Sequence, residues 1–229
     1  LRFNPMKRNG NGIWDLDRVM LSACSAVNEI RTAYKGKLKA GLMVCLGRDL
    51  PFEENLILAK KVSLWAEQGL PVVGLDLAGP ESSNSLKDPA RLEEMAELYR
   101  LAGDKVGRTV HCGETRAIDI QTFLNTVKTL QPERIGHPLT AVRAYCENKD
   151  ASGLKLMAER GITAELCTLS NLLTGAVEKI EDYRTILNAF DQFGIRYTFS
   201  TDAPSLQKST LAGEILSLLQ CQSARPEQI

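Results

Sequence analysis

The stretch Pro71-Val-Val-Gly-Leu-Asp-Leu-Ala-Gly-Pro-Glu81 decides the fold. Its first seven residues are almost continuously apolar, the pattern of a strand buried on both faces of a parallel sheet. Gly79 follows at the strand end, where a glycine lets a ligand approach the backbone closely. Asp76 lies inside the strand and needs a hydrogen-bonded or charged partner there. Downstream, Asp88 and Pro89 read as the N-cap and first residue of a helix over 88–102. The next strand is predicted over 105–111. Upstream, residues 38–46 read as a strand and 51–68 as a helix of period 3.6.

The same β-then-α unit recurs outward in both directions. Residues 1–5 read as a short strand, 117–130 as a helix and 134–137 as a short strand. A helix over 152–160 stops at Gly161, a C-terminal signal. A strand over 162–167, a helix over 182–192 and a strand over 195–200 follow, and a last helix starts near Ser209. Asn9–Gly12 reads as a loop. Gly47, Gly79, His111, His137, Cys167 and Asp202 mark successive strand ends, 32, 32, 26, 30 and 35 residues apart. Strands alternating with helices at that spacing imply a parallel α/β sheet, either doubly wound or a (β/α)8 barrel. No G-x-G-x-x-G follows an early strand and no G-x-x-x-x-G-K occurs, which weakens the nucleotide-binding open-sheet reading. Seven strands are counted, one short of a closed barrel.

Composition narrows the classes of function. The 229 residues are 44% hydrophobic and 24% charged, with a formal net charge of zero. A general nucleic-acid or anionic-membrane binder would need a basic surplus. No apolar run approaches the ~20 residues of a membrane span, and no signal peptide is read. The six cysteines, at 24, 45, 112, 146, 167 and 221, form no C-x-x-C pair. They are expected to be reduced in a cytoplasmic enzyme.

In parallel α/β folds the βα loops beyond the strand ends carry the chemistry. Both histidines of the chain sit there, His111 in Val110-His-Cys-Gly-Glu114 and His137 in Arg134-Ile-Gly-His-Pro138. Gly113 allows a turn that could bring Glu114 to the His111 side of the strand. Imidazole suits a zinc ion, and a nearby carboxylate suits general acid–base work. Asp202, in Ser200-Thr-Asp-Ala-Pro204, is either a metal ligand or a turn cap. Cys167, opening the polar loop Cys167-Thr-Leu-Ser-Asn171, reads as buried and inert. Taken singly, each motif also fits an ordinary structural role.

Taken in order, V-G-L-D-L-A-G-x-E, H-C-G-E, R-I-G-H, C-x-x-S-N-L-L-T-G-A and S-T-D-A-P resemble the adenosine deaminase family over essentially the whole chain. Arg2-Phe3-Asn4-Pro5 is similar to that family's second strand. The resemblance implies a single metallo-dependent hydrolase domain over 1–229. It would be an incomplete (β/α)8 TIM-type barrel, lacking the family's N-terminal strand and stopping before its usual C-terminal end. It implies one Zn2+ held by His111 and Asp202, a proton donated to the purine ring by Glu114, a hydroxide steered by His137, and a ring nitrogen bound by the Gly79 N–H. The implied reaction is hydrolytic deamination of adenosine or a relative. The implied partner is a small purine nucleoside, with no nucleic acid and no membrane. The family's first strand carries His-x-His, both metal ligands, and neither histidine is in this chain. A catalytically impaired barrel fragment, or another barrel metallohydrolase acting on a cyclic amidine or amide, therefore stays open. Ala203 stands where members acting on adenosine carry a second aspartate, which leaves the exact substrate open. Unpaired edges on the first and last strands would invite self-association.

Overall fold

In the computed structural model, which describes every residue except Asn9 and Gly36, parallel strands and helices alternate along the chain. Two compact units are distinguished: residues 1–110 with 129–131, and residues 111–128 with 132–229.

The first unit carries β1 (Arg2–Phe3), α1 (Leu16–Ala33), β2 (Leu42–Gly47), α2 (Phe52–Glu67), β3 (Val72–Ala78), α3 (Pro89–Ala102) and all but the last residue of β4 (Gly107–His111). β1 pairs with β2, β2 with β3 and β3 with β4, every pair parallel. The inward residues Leu42, Val44, Leu46, Leu75 and Leu77 are at most 1% exposed. Leu58, Ala59, Val62 and Trp65 of α2 and Leu98 and Tyr99 of α3 are also buried. Asp88 caps α3 as expected, its carboxylate accepting from Ala90 N at 2.8 Å and Arg91 N at 3.4 Å. Asp76, fully buried, finds the charged partner it requires in Arg2, whose Nη1 lies 3.5 Å from Oδ2. Asn55 of α2 grips the end of β2, accepting from Gly47 N at 2.9 Å and donating to Gly47 O at 2.8 Å.

The second unit begins with His111, the last residue of β4. It continues with α4 (Ile120–Leu130), which enters the first unit near its end, then β5 (Arg134–Gly136), α5 (Leu139–Asn148), α6 (Ser152–Glu159) and β6 (Thr163–Leu166). After these come α7 (Thr168–Leu173), α8 (Tyr183–Phe193), β7 (Tyr197–Phe199), α9 (Pro204–Gln207) and α10 (Leu211–Gln220). β5 pairs with β6 and β6 with β7, again parallel. Tyr183, Ile186, Leu187 and Phe190 form the buried stripe of α8, at the i, i+3, i+4, i+7 spacing of an amphipathic helix.

Within each unit the strands lie side by side in sequence order. A doubly wound sheet reverses its strand order at a switch point, and no such reversal occurs here. The fold is α/β, an incomplete TIM-type barrel with seven strands among the described residues. Four helices depart from the sequence reading. It assigns no element to α1, α5 or the short α9, and it reads the α7 segment as a polar loop. The loop reading of Asn9–Gly12 falls partly on Asn9, outside the described residues, and Gly12 opens a short 3-10 turn that runs to Asp15. The strand expected over 38–46 begins only at Leu42, and that over 105–111 only at Gly107. Among the described residues no helix is long and apolar enough to cross a membrane.

Candidate functional site

β4 delivers His111, and the chain then turns at Gly113, whose φ is +95°. A side chain is strained in that conformation. The space is also tight, because a Cβ would meet Thr140 at 3.0–3.2 Å and Thr140 would have to give way. The turn is fastened by α5. Thr140 N donates to Gly113 O at 2.9 Å, and Arg143 donates to Gly113 O at 2.8 Å, Glu114 O at 3.1 Å and Thr115 O at 2.9 Å. Arg143 was not singled out in the sequence, because an arginine in an unassigned stretch shows nothing of three carbonyls brought to it by folding. Hydrogen bonds to a charged group contribute about 1.5–3 kcal/mol, and buried carbonyls left without donors cost more. Arg143→Met is expected to destabilise the protein by about 2–3 kcal/mol in urea unfolding. A loss below the measurement error would show that the loop holds its shape without it.

β5 brings His137 in immediately after Gly136. A Cβ on Gly136 would lie 3.1–3.2 Å from the carbons of the His111 ring, so the glycine leaves room for that imidazole. The two histidine rings sit 5.3 Å apart, centroid to centroid, tilted by 46°. His137 is 2% exposed and its Nδ1 is 2.6 Å from Asn171 Oδ1. Burial holds its pKa below the ordinary imidazole value, and the His111 charge adds to that. Glu114, the Asn171 hydrogen bond and Asp202 oppose it.

Asp202 follows β7. Its Oδ2 accepts from Ser170 Oγ at 2.6 Å, and Gln207 Nε2 donates to the same Ser170 Oγ at 3.1 Å. Glu114 Oε1 accepts from Thr174 Oγ1 at 3.2 Å. Both His137 and Asp202 adopt positive φ, 52° and 53°. Non-glycine residues held in that region carry strain that the surrounding structure must offset, and they cluster at functional sites. Cys167, 4% exposed, has its Sγ 3.0 Å from the hydroxyl of exposed Ser200, a part-buried contact with no histidine in it.

The second unit therefore brings together four of the five residues picked from the sequence. Gly79 lies in the first unit, at φ +112°, with its carbonyl accepting from Arg48 Nη1 at 2.8 Å. Ser170, Asn171 and Thr174, on or just after α7, each hold one of the four; the sequence reading includes them in the C-x-x-S-N-L-L-T-G-A motif but gives them no role.

A catalytic zinc usually takes three protein ligands and a water. Among the described residues no group of three or more His, Cys, Asp or Glu side chains is placed to hold a metal ion. His111 and Asp202 supply an imidazole and a carboxylate of the right chemistry, but Asp202 Oδ2 is already engaged by Ser170. The donor set of this chain does not by itself fit a complete metal centre.

A family model described as adenosine deaminase matches residues 1–222. The chain is 31% identical over 229 residues to the adenosine deaminase of Clostridium kluyveri, covering 100% of this chain and 60% of that protein. It also resembles solved structures. One is an adenine deaminase from Arthrobacter aurescens, with TM-score 0.73 and 20% identity, covering 93% of this chain and 59% of that one. Another is a zinc-bound amidohydrolase from Burkholderia ambifaria, with TM-score 0.69 and 17% identity, covering 95% of this chain and 56% of that one. These structures share the fold, and the extent of the family match goes further: this chain belongs to the adenosine deaminase family.

Proposed function

We propose that this chain is the larger part of a hydrolytic deaminase that replaces the exocyclic amine of an aminopurine by oxygen, releasing ammonia. The observation that carries the reading is that one short segment, residues 170–174, holds three of the site residues, Asn171 at His137, Ser170 at Asp202 and Thr174 at Glu114, while the His111 ring sits 5.3 Å from that of the buried His137. In the overall change one water is consumed, the bond between the ring carbon and its amine is broken, and the purine keeps the oxygen. Glu114 protonates the ring nitrogen beside the carbon under attack. Neutral His137 accepts a hydrogen bond from the attacking water, and Asp202 holds that water. The Gly79 N–H binds a second ring nitrogen. These proton movements follow from carboxylate and imidazole chemistry alone.

A zinc ion is the cofactor the family points to, and His111 and Asp202 are the residues that would contribute to its shell. We propose further that the two compact units are parts of one hydrolase domain, and that the protein works in the cytoplasm. Adenosine is the first substrate we assign. Ala203, the residue after Asp202, offers the base no carboxylate, which favours a modified aminopurine or a purine nucleotide as the second reading. Losing one such hydrogen bond costs about 1–3 kcal/mol.

The test is ammonia release by the gene product that contains this chain, supplied with zinc and offered adenosine, adenine and adenosine monophosphate. Turnover of at least one is expected, and no ammonia from any of them would overturn the proposal. The 229 residues alone are expected to bind zinc weakly, with the metal lost on dialysis against a chelator. Stoichiometric, chelator-resistant zinc on them would show that the shell is complete without further ligands.

A further inference from the structure

We infer that Asn171 and Tyr183 set the tautomer of His137, holding the proton on Nδ1 and leaving Nε2 as the ring's acceptor. The three side chains form one buried file. His137 is 2% exposed, while Asn171 and Tyr183 are fully buried. His137 Nδ1 lies 2.6 Å from Asn171 Oδ1, Asn171 Nδ2 lies 2.7 Å from the Tyr183 hydroxyl, and that hydroxyl lies 3.5 Å from Cys167 O.

A buried polar atom needs a partner, and the partners here are directional. A neutral imidazole has one donor and one acceptor nitrogen, a carboxamide has a donor end and an acceptor end, and a phenol has a single proton. Two arrangements of the file are chemically consistent. In one, His137 Nδ1–H donates to Asn171, Asn171 donates to Tyr183, and Tyr183 donates to Cys167 O. In the other, the amide is turned over, Tyr183 donates to Asn171, and Asn171 donates to a bare Nδ1. Only the first leaves the Tyr183 proton free for a further acceptor, the Cys167 carbonyl at 3.5 Å, a long contact shared with Asn171 N–H, and it is the arrangement that uses a donor from every side chain of the file. Burial keeps the Tyr183 hydroxyl protonated by pushing its pKa well above the usual phenol value.

Asn171 is held for this task by the backbone. Its N–H donates to Cys167 O at 3.0 Å and its carbonyl accepts from Val177 N at 3.0 Å, which fixes α7 beneath the imidazole. An acceptor at Nε2 is what a residue receiving a hydrogen bond from an attacking water requires. That use rests on the deaminase reading given above, whereas the tautomer itself does not. Asn171 and Tyr183 are thus positioning residues.

The chain has only two histidines, so its imidazole spectrum is simple. Long-range 15N–1H correlation on the labelled chain, in mildly alkaline buffer, reads the tautomer directly, and a His111→Asn variant assigns the two rings. The expected result is a single Nδ1–H pattern for His137. Asn171→Leu and Tyr183→Phe are each expected to lose that single pattern, whereas Asn171→Asp, which keeps an acceptor facing Nδ1, retains it. Tyr183→Phe preserves the ring and its packing, so it decides the matter if Asn171→Leu does not fold. An Nε2–H pattern in the unaltered chain, or a single Nδ1–H pattern surviving in folded Tyr183→Phe, would overturn the inference. An Nδ1–H result in a protein that deaminates nothing would leave the relay standing and remove only its catalytic use.

Discussion

Glu114→Gln is expected to lower kcat of the active protein about 10²–10⁴-fold, with KM changed far less. Glutamine has nearly the shape of glutamate, and its amide oxygen can still accept from Thr174 Oγ1, now 3.2 Å from Oε1. The Gly113 turn and its Arg143 clasp involve backbone carbonyls only, so they stay in place. What the amide cannot do is deliver a proton to a ring nitrogen. A fall in kcat and kcat/KM together is the signature of an interaction made only in the transition state. Steady-state ammonia release checks this, with circular dichroism confirming the fold. A kcat within tenfold of the unaltered protein would remove Glu114 from the proton donor's role and leave it a loop residue.

Phe190→Ala is expected to cost about 3–5 kcal/mol of stability, the range for deleting a fully buried aromatic side chain. Phe190 is 0% exposed on the buried stripe of α8, and its ring lies 6.0 Å from that of Tyr197 on β7. Alanine leaves a void between a helix and a strand, which closes only in part. Urea unfolding followed by circular dichroism measures the loss, with slopes of about 1–3 kcal/mol per molar for a small protein. A cost under about 1 kcal/mol would mean the site collapses without penalty, contrary to close packing there. The effect is also expected to reach the functional site. α8 carries Tyr183 seven residues earlier, and Tyr183 supports Asn171 behind His137. Loss of the His137 tautomer pattern in Phe190→Ala would therefore accompany the loss of stability.

Much of the architecture is legible in the residues themselves. A strand of a covered parallel sheet is apolar almost throughout, so Pro71–Leu77 announces itself as a strand without any partner being known, although Asp76 interrupts the run and Val73, expected to be buried, is 49% exposed. The spacing of strand ends carries the βα repeat, and Asp88-Pro89 carries a helix start by local hydrogen bonding alone. The stripe Leu16, Met20, Cys24 and Val27 of α1 was also present in the sequence, at spacings of four, four and three. It is diluted by exposed Leu21 and Ile30, so periodicity over that stretch is weak.

By itself, then, the sequence determined the α/β class, the family and the five residues proposed for the site, because burial pattern, repeat length and side-chain chemistry are local properties. Only the tertiary structure decided how four of those residues are held. α7 is six residues long and rich in Thr, Ser and Asn, too short for a period and too polar for a buried face. It is a helix because its polar groups find partners far along the chain: Ser170 at Asp202, Asn171 at His137 and Tyr183, and Leu169 N at the Glu214 carboxylate, 3.0 Å away. The same holds for the left-handed backbone of His137 and Asp202: His and Asp adopt it more often than most residues, but still rarely, and only surrounding contacts can maintain it at a given position. Hydrogen bonds between residues 12 to 45 positions apart have no local signature, so the roles of the residues that position the chemistry became visible only once the chain was folded.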